Sequence, residues 1–138
     1  MKKLIIGFFG LMVLAGIFVL ALPNILHKVG LHPEYQGPKV ALPGRRALVI
    51  TTSHNVLAAV GETEGPATGV VASELTHPYY VFLDGGMLVD VASIKGGDIP
   101  IAPDSLSRIS ATPETQRFLK DSIFKAKVDN SIKVDAID

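Results

Sequence analysis

The sequence predicts an α/β fold, with a small parallel sheet flanked by helices and preceded by one transmembrane or signal helix. Three observations carry that prediction. An unbroken apolar run fills residues 4–22. Two short runs, "RALVITTS" at 46–53 and "MLVDVASI" at 87–94, are apolar on both faces, as parallel strands covered by helices are. Between them, apolar residues recur near helical spacing. Residues 46–94 therefore read as a βαβ unit with parallel strands and a right-handed crossover.

The amino-terminal run comes first. Met1-Lys2-Lys3 precedes "LIIGFFGLMVLAGIFVLAL". A helix needs about 20 such residues to cross a bilayer. Secretory signal cores are shorter, roughly 7–15 residues, and end at a small-x-small site. Here the run ends in Ala21-Leu22-Pro23-Asn24, a poor cleavage site, so an uncleaved anchor is the first expectation and a cleaved signal the second. Lys2 and Lys3 keep the amino terminus cytoplasmic under the positive-inside rule, and Lys28 weakens that bias without reversing it. The rest of the chain is then expected on the outer side of the inner or plasma membrane, periplasmic or extracellular, and is secreted if the signal is cleaved. Residues 24–44 hold Pro33, Pro38 and Pro43 with Gly30, Gly37 and Gly44, which suits a linker, and "ILHKVGL" suits a short helical turn at the membrane face. The expected organisation is an anchor or signal at 1–23, a linker at 24–44 and a globular part at 45–138.

In the globular part, the first strand is followed by "HNVLAAVGETEGPAT", a loop marked by Gly61, Gly65 and Pro66. Thr68 reads as a helix N-cap. Val70, Val71, Glu74, Leu75, Pro78, Tyr79, Phe82 and Leu83 then follow at helical spacing, and Pro78 is expected to kink or divide that helix. Asp84-Gly85-Gly86 ends it, and Lys95-Gly96-Gly97 closes the second strand. "DIPIAPDSLS" reads as a Pro-rich loop. "TPETQRFLKDSIFKAKV" reads as one helix, with Thr112 as cap, Pro113 in the first turn and Phe118, Leu119, Ile123 and Phe124 as its apolar stripe. "SIKVDAID" opens a further element.

Composition excludes some chemistry. Formal net charge is zero, from 13 basic and 13 acidic residues, with no basic cluster to neutralise phosphates, which argues against nucleic acid as a partner. There is no cysteine, hence no disulfide, no thiolate metal site and no cysteine nucleophile in the chain. His27, His32, His54 and His77 lack metal-ligand spacing, although a His54/Glu74/His77 cluster could still assemble in three dimensions. Ser53 and His54 are neighbours in sequence, which is not triad geometry. Gly96-Gly97 is too little for a phosphate loop, Tyr79, Tyr80 and Phe82 read as core, and no cofactor is expected. Glu74 has two readings. It is either an ordinary helix carboxylate or, among mostly apolar neighbours, a proton donor beside a nucleophile.

"ALVITTSHNVL" and "TGVVASELTHPYYVFLDGGMLVDVASIKGGDIPIAPDS" resemble the amino-terminal half of the ThiJ/PfpI superfamily, over about residues 45–127. The elements are Thr52-Ser53-His54, Thr68-Gly69, Glu74 in E-L-x-x-P-Y, and the string from Val89 to Ser105. The nearest branch looks like that of the glutathione-independent glyoxalases and chaperone-like proteins. The resemblance implies part of a flavodoxin-like, class I glutamine amidotransferase-like parallel sheet. It also implies a role for Glu74, since family members use an acid here to hydrogen-bond the sulfur of a catalytic cysteine. In them a histidine follows that cysteine, and a Gly-Gly-His-Gly-like loop offers backbone amides to an oxyanion. Complete relatives convert methylglyoxal to lactate, and deglycase, peptidase and holding-chaperone activities are also ascribed to them. This chain has neither the cysteine nor the Gly-Gly-His-Gly. The implied protein is thus an amino-terminal fragment, inactive as it stands, that takes a small-molecule aldehyde only when completed. The family leaves homodimerisation open. The membrane segment departs from the better-known soluble cytoplasmic members. A non-enzymatic, membrane-anchored module that binds a partner through an exposed half-sheet is the alternative.

Overall fold

The structure, a computed structural model, describes residues 2–29 and 37–137. It divides into two compact units, Met1–Gln36 and Gly37–Asp138.

The first unit is helix α1, Lys2–Lys28. Within it, Ile5–Leu22 has a mean hydropathy of 2.8, and none of that stretch is buried against protein. Those 18 residues rise about 27 Å as a helix, close to the roughly 30 Å of a bilayer's hydrocarbon core. A helix apolar on every side is at home in lipid or in a large core, not in water. The N-terminal helix is therefore long and apolar enough to span a membrane. It continues through residues 24–28, so the expected linker starts later than the prolines suggest. The middle of that linker, 30–36 with His32 and Pro33, lies outside the described residues. Carbonate extraction of expressing cells is expected to leave the full-size chain in the membrane pellet. A shortened, soluble product would instead identify a cleaved signal.

The second unit carries β1 (Arg46–Thr51), α2 (Ala72–Asp84), β2 (Leu88–Ser93), α3 (Pro113–Phe118), α4 (Ser122–Asp129) and β3 (Ile132–Lys133). The strands form one sheet in the order β1-β2-β3. Both pairings are parallel, with Val49 opposite Val91 and Ala92 opposite Ile132. The period of two along a strand decides which side chains are covered. Val49, Val89 and Val91 are buried against the helices, whereas Leu48, Ile50, Leu88 and Ile132 are exposed. The strands are apolar on both faces as expected, but these residues cover only one of them.

The core joins Val49, Val89 and Val91 to Leu75, Tyr79 and Tyr80 of α2 and to Phe118, Phe124 and Val128 of α3 and α4. Phe124 stacks on Tyr79 at 3.4 Å between centroids and meets Tyr80 and Phe118 edge-on at 5.5 and 5.0 Å. The edge-on pairs add to what burial alone contributes.

Three local expectations change. Thr68 does not cap α2, because its N–H donates to the Asn55 carbonyl and the helix starts four residues later, with Val71 at the N-cap. Pro78 does not divide α2, which stays one helix around it. The proline forfeits one backbone bond to the Glu74 carbonyl, and burial of Leu75, Thr76, Tyr79 and Tyr80 holds the turns on either side. The expected single helix at 112–128 is two helices. Asp121 accepts from the N–H groups of Ile123 and Phe124 at 3.0 Å each, and so starts α4 afresh. That break leaves Leu119 and Ile123 exposed and turns Val128 inward. Thr112 does cap α3, accepting from Thr115 N–H, and Pro113 is its first residue.

An ion-pair clamp holds α4 to the sheet. Lys127 Nζ lies 3.0 Å from Asp90 Oδ1, and Arg46 lies 3.3 Å from Oδ2. The Lys127 hydrogen bond, with help from Arg46, holds the Asp90 carboxyl below its ordinary value of 3.8. The resulting stability is complete above that ordinary value and is lost as pH falls through the lower folded value. Solvent reaches the pair, so Asp90→Asn is expected to cost only about 0.5–1 kcal/mol at neutral pH. Denaturant titrations of both proteins should converge at acid pH, where the native aspartate is protonated.

Candidate functional site

All strands run the same way, so their carboxyl ends lie together. In open α/β sheets that end is where ligands bind. β1 ends there in Thr51, followed by Thr52. The first turn of α2 stands beside it. Together they form a cleft of about 390 Å³ lined by Thr51, Thr52, Gly69, Val70, Glu74 and Leu75, among others. Leu75 is fully buried and gives the cleft an apolar floor, whereas Glu74 is exposed. The apolar enclosure expected around Glu74 is therefore absent among the described residues. What the cleft brings together is one carboxyl group, that of Glu74, with the two threonines at the end of β1 and the apolar side chains of Val70 and Leu75.

The other candidates go elsewhere. Ser53 Oγ accepts from the Lys95 N–H at 2.9 Å, which ties the end of β1 to the end of β2. The His54 N–H donates to Thr52 Oγ1 at 2.9 Å and the residue is exposed, so Ser53 and His54 make turn contacts and no triad. His77 Nε2 lies 2.7 Å from Glu114 Oε2 and 3.0 Å from Thr112 Oγ1, joining α2 to α3. The His54/Glu74/His77 cluster does not form, and no group of three or more potential metal ligands occurs among the described residues. Gly96 and Gly97 have φ of +72° and +74°, but their N–H groups go to Ser93 and Ser131 carbonyls, so none is free for a phosphate.

One participant escapes the sequence reading. The Pro-rich loop after β2 is a strap against the start of α2. Val70 N–H donates to the Pro100 carbonyl and Ala102 N–H to the Val70 carbonyl, each at 2.9 Å. Ser105 Oγ accepts from Ala72 N–H at 2.9 Å. Its sequence signal is the P-x-x-P-D-S pattern, which spells spaced prolines and a hydroxyl but not what they touch. A wider cleft, about 610 Å³, opens elsewhere over Ile99, Phe118 and Val128, with Asp98 and Lys125 on its rim.

No family model matches the chain. No curated protein matches it either. Solved structures do. Rapid Encystment Protein 24 KDa of Francisella tularensis is 35% identical over 68% of this chain and 39% of its own, with a TM-score of 0.58. The crystallographic structure of APC35852 is 27% identical over 66% of this chain and 35% of its own, with a TM-score of 0.50. The chain thus spans well under half the length of these similar proteins.

Proposed function

We propose that these residues are the amino-terminal part of a membrane-anchored ThiJ/PfpI-like protein of flavodoxin-like, class I glutamine amidotransferase-like fold. In that reading Glu74 is the acid of a thiol-dependent site acting on a small aldehyde such as methylglyoxal. The observation that carries it is the position of Glu74, on the first turn of α2 beside the carboxyl end of β1. The partial coverage of the two similar structures supports the reading of these residues as part of a longer chain, as does the sheet face left open by Leu48, Ile50 and Leu88. The amino terminus is cytoplasmic in this proposal and the α/β unit lies on the outer side of the membrane.

Attack on an aldehyde carbon by sulfur needs a thiolate. This chain has no cysteine, so the nucleophile, its histidine and the oxyanion-binding amides come from further polypeptide. Glu74 then hydrogen-bonds the sulfur and carries a proton to and from the reacting centre. Conversion of methylglyoxal to lactate adds one water and needs no external oxidant or reductant.

The test compares two proteins. The 138-residue chain is expected to turn over no methylglyoxal above a boiled control. The chain extended by the reading frame past the Asp138 codon is expected to make lactate and to encode Gly-Gly-His-Gly and Cys-His. One observation favours a second reading, a non-enzymatic module that docks a partner through its exposed sheet face. A stop codon with neither motif encoded downstream in any frame would select it.

A further inference from the structure

We infer that Ser105 is a positioning residue. Acting through the 100–105 strap, it fixes where α2 begins and therefore where Glu74 stands over its cleft. The inference rests on the reading of Glu74 as the acid of that cleft.

The first turn of a helix has N–H groups with no partner inside the helix. α2 has no side-chain cap of its own, because Val71 occupies the N-cap position. The Ala72 N–H is met from outside, by a serine 33 residues further on. The Ser105 hydroxyl is itself oriented. It donates to the Ala102 carbonyl at 2.6 Å, which leaves its lone pairs for Ala72. The residue just before the cap is held as well, since Val70 makes a parallel bridge with Ile101. Gly69 permits this contact. A Cβ there would lie 2.1 Å from the Pro100 oxygen and 2.3 Å from its carbonyl carbon, both backbone atoms that cannot swing aside.

The consequence for Glu74 is geometric. It lies two residues past Ala72, in the turn that the strap holds. Burial of Leu75, Thr76, Tyr79 and Tyr80 fixes the rotation of α2, so what the strap decides is whether the first turn, with Glu74 in it, is helical at all; an unwound first turn carries Glu74 off the cleft. An internal cap on α2 would stabilise the helix, but it would leave that start free to move relative to the strap. Ser105 ties it down. This also gives physical content to the P-D-S end of the Pro-rich string, which no proposed catalytic step uses.

The test uses the full chain in detergent micelles, isotopically labelled, as native protein, Ser105→Ala and Ser105→Thr. In Ser105→Ala the Ala72 amide should exchange about tenfold faster or more, with Tyr80 unchanged, because the opening is local. The Glu74 side-chain carboxyl signal should shift or broaden. Ser105→Thr keeps the oxygen and should restore both. Unchanged exchange at Ala72, an equal rise at Tyr80, or an unmoved Glu74 signal would each overturn the inference. The readout needs no turnover, so it can fail while Glu74 proves catalytic, and it can succeed while Glu74 proves idle.

Discussion

Phe124→Ala is expected to destabilise the Gly37–Asp138 unit by about 3–5 kcal/mol, the range for emptying a buried phenylalanine site. Phe124 is fully buried and touches three other rings. Those rings come from α2 and α3, so the cavity opens where three helices meet. Collapse into it is resisted by Tyr80, whose hydroxyl donates to Asp121 at 3.0 Å. Burial and that hydrogen bond push the Tyr80 hydroxyl well above its ordinary value, so it remains a donor across the working pH range. Small domains have about 5–15 kcal/mol in all, so this one change takes a large share. Ile123→Ala is the control. Ile123 is next in sequence but 70% exposed, and its loss should stay within about 0.5 kcal/mol. Urea midpoints of both variants decide the matter. A Phe124→Ala cost near that of Ile123→Ala would show that the stacked rings are not the core.

That pair also marks where the sequence was legible. Both residues sit on the apolar stripe expected of a single helix at 112–128, but both belong to α4, where Phe124 faces the core and Ile123, about 100° round the helix, faces solvent. The signal for the break at Asp121 was present, since an Asp-Ser pair inside an apolar run is a cap as much as a surface turn. The strands were readable because their composition is a local property. "RALVITTS" contains Arg46–Thr51 and "MLVDVASI" contains Leu88–Ser93. Their parallel pairing followed from the helix between them. Thr68 misled for the opposite reason. It has every local property of a cap, but strap residues 30 and more positions away hold Val70 extended, and no helix can begin before it. The cleft was half legible on the same principle. Glu74 could be singled out by its neighbours in sequence, while its exposure depends on what lies across the sheet end, and the strap that aims it depends on a contact between distant segments.

Glu74→Gln, made in the chain completed by its downstream reading frame, is expected to lower turnover about 10²–10⁴-fold, the usual cost of a lost general acid or base. Glutamine keeps the shape and the hydrogen-bonding reach and removes only the exchangeable acid proton. Glu74 is exposed in the described residues. Glu114→Gln is the matched control on α3. Glu114 lies 2.7 Å from His77 and helps join α3 to α2. Its loss should therefore cost up to about 1 kcal/mol of stability while leaving the rate alone. The two substitutions thus separate rate from stability, with Glu74 moving the first and Glu114 the second. Circular dichroism confirms that both variants are folded before rates are compared. Equal turnover in the two folded variants would make Glu74 an ordinary carboxylate at the start of a helix, and the thiol-dependent site would then have to draw its acid from elsewhere.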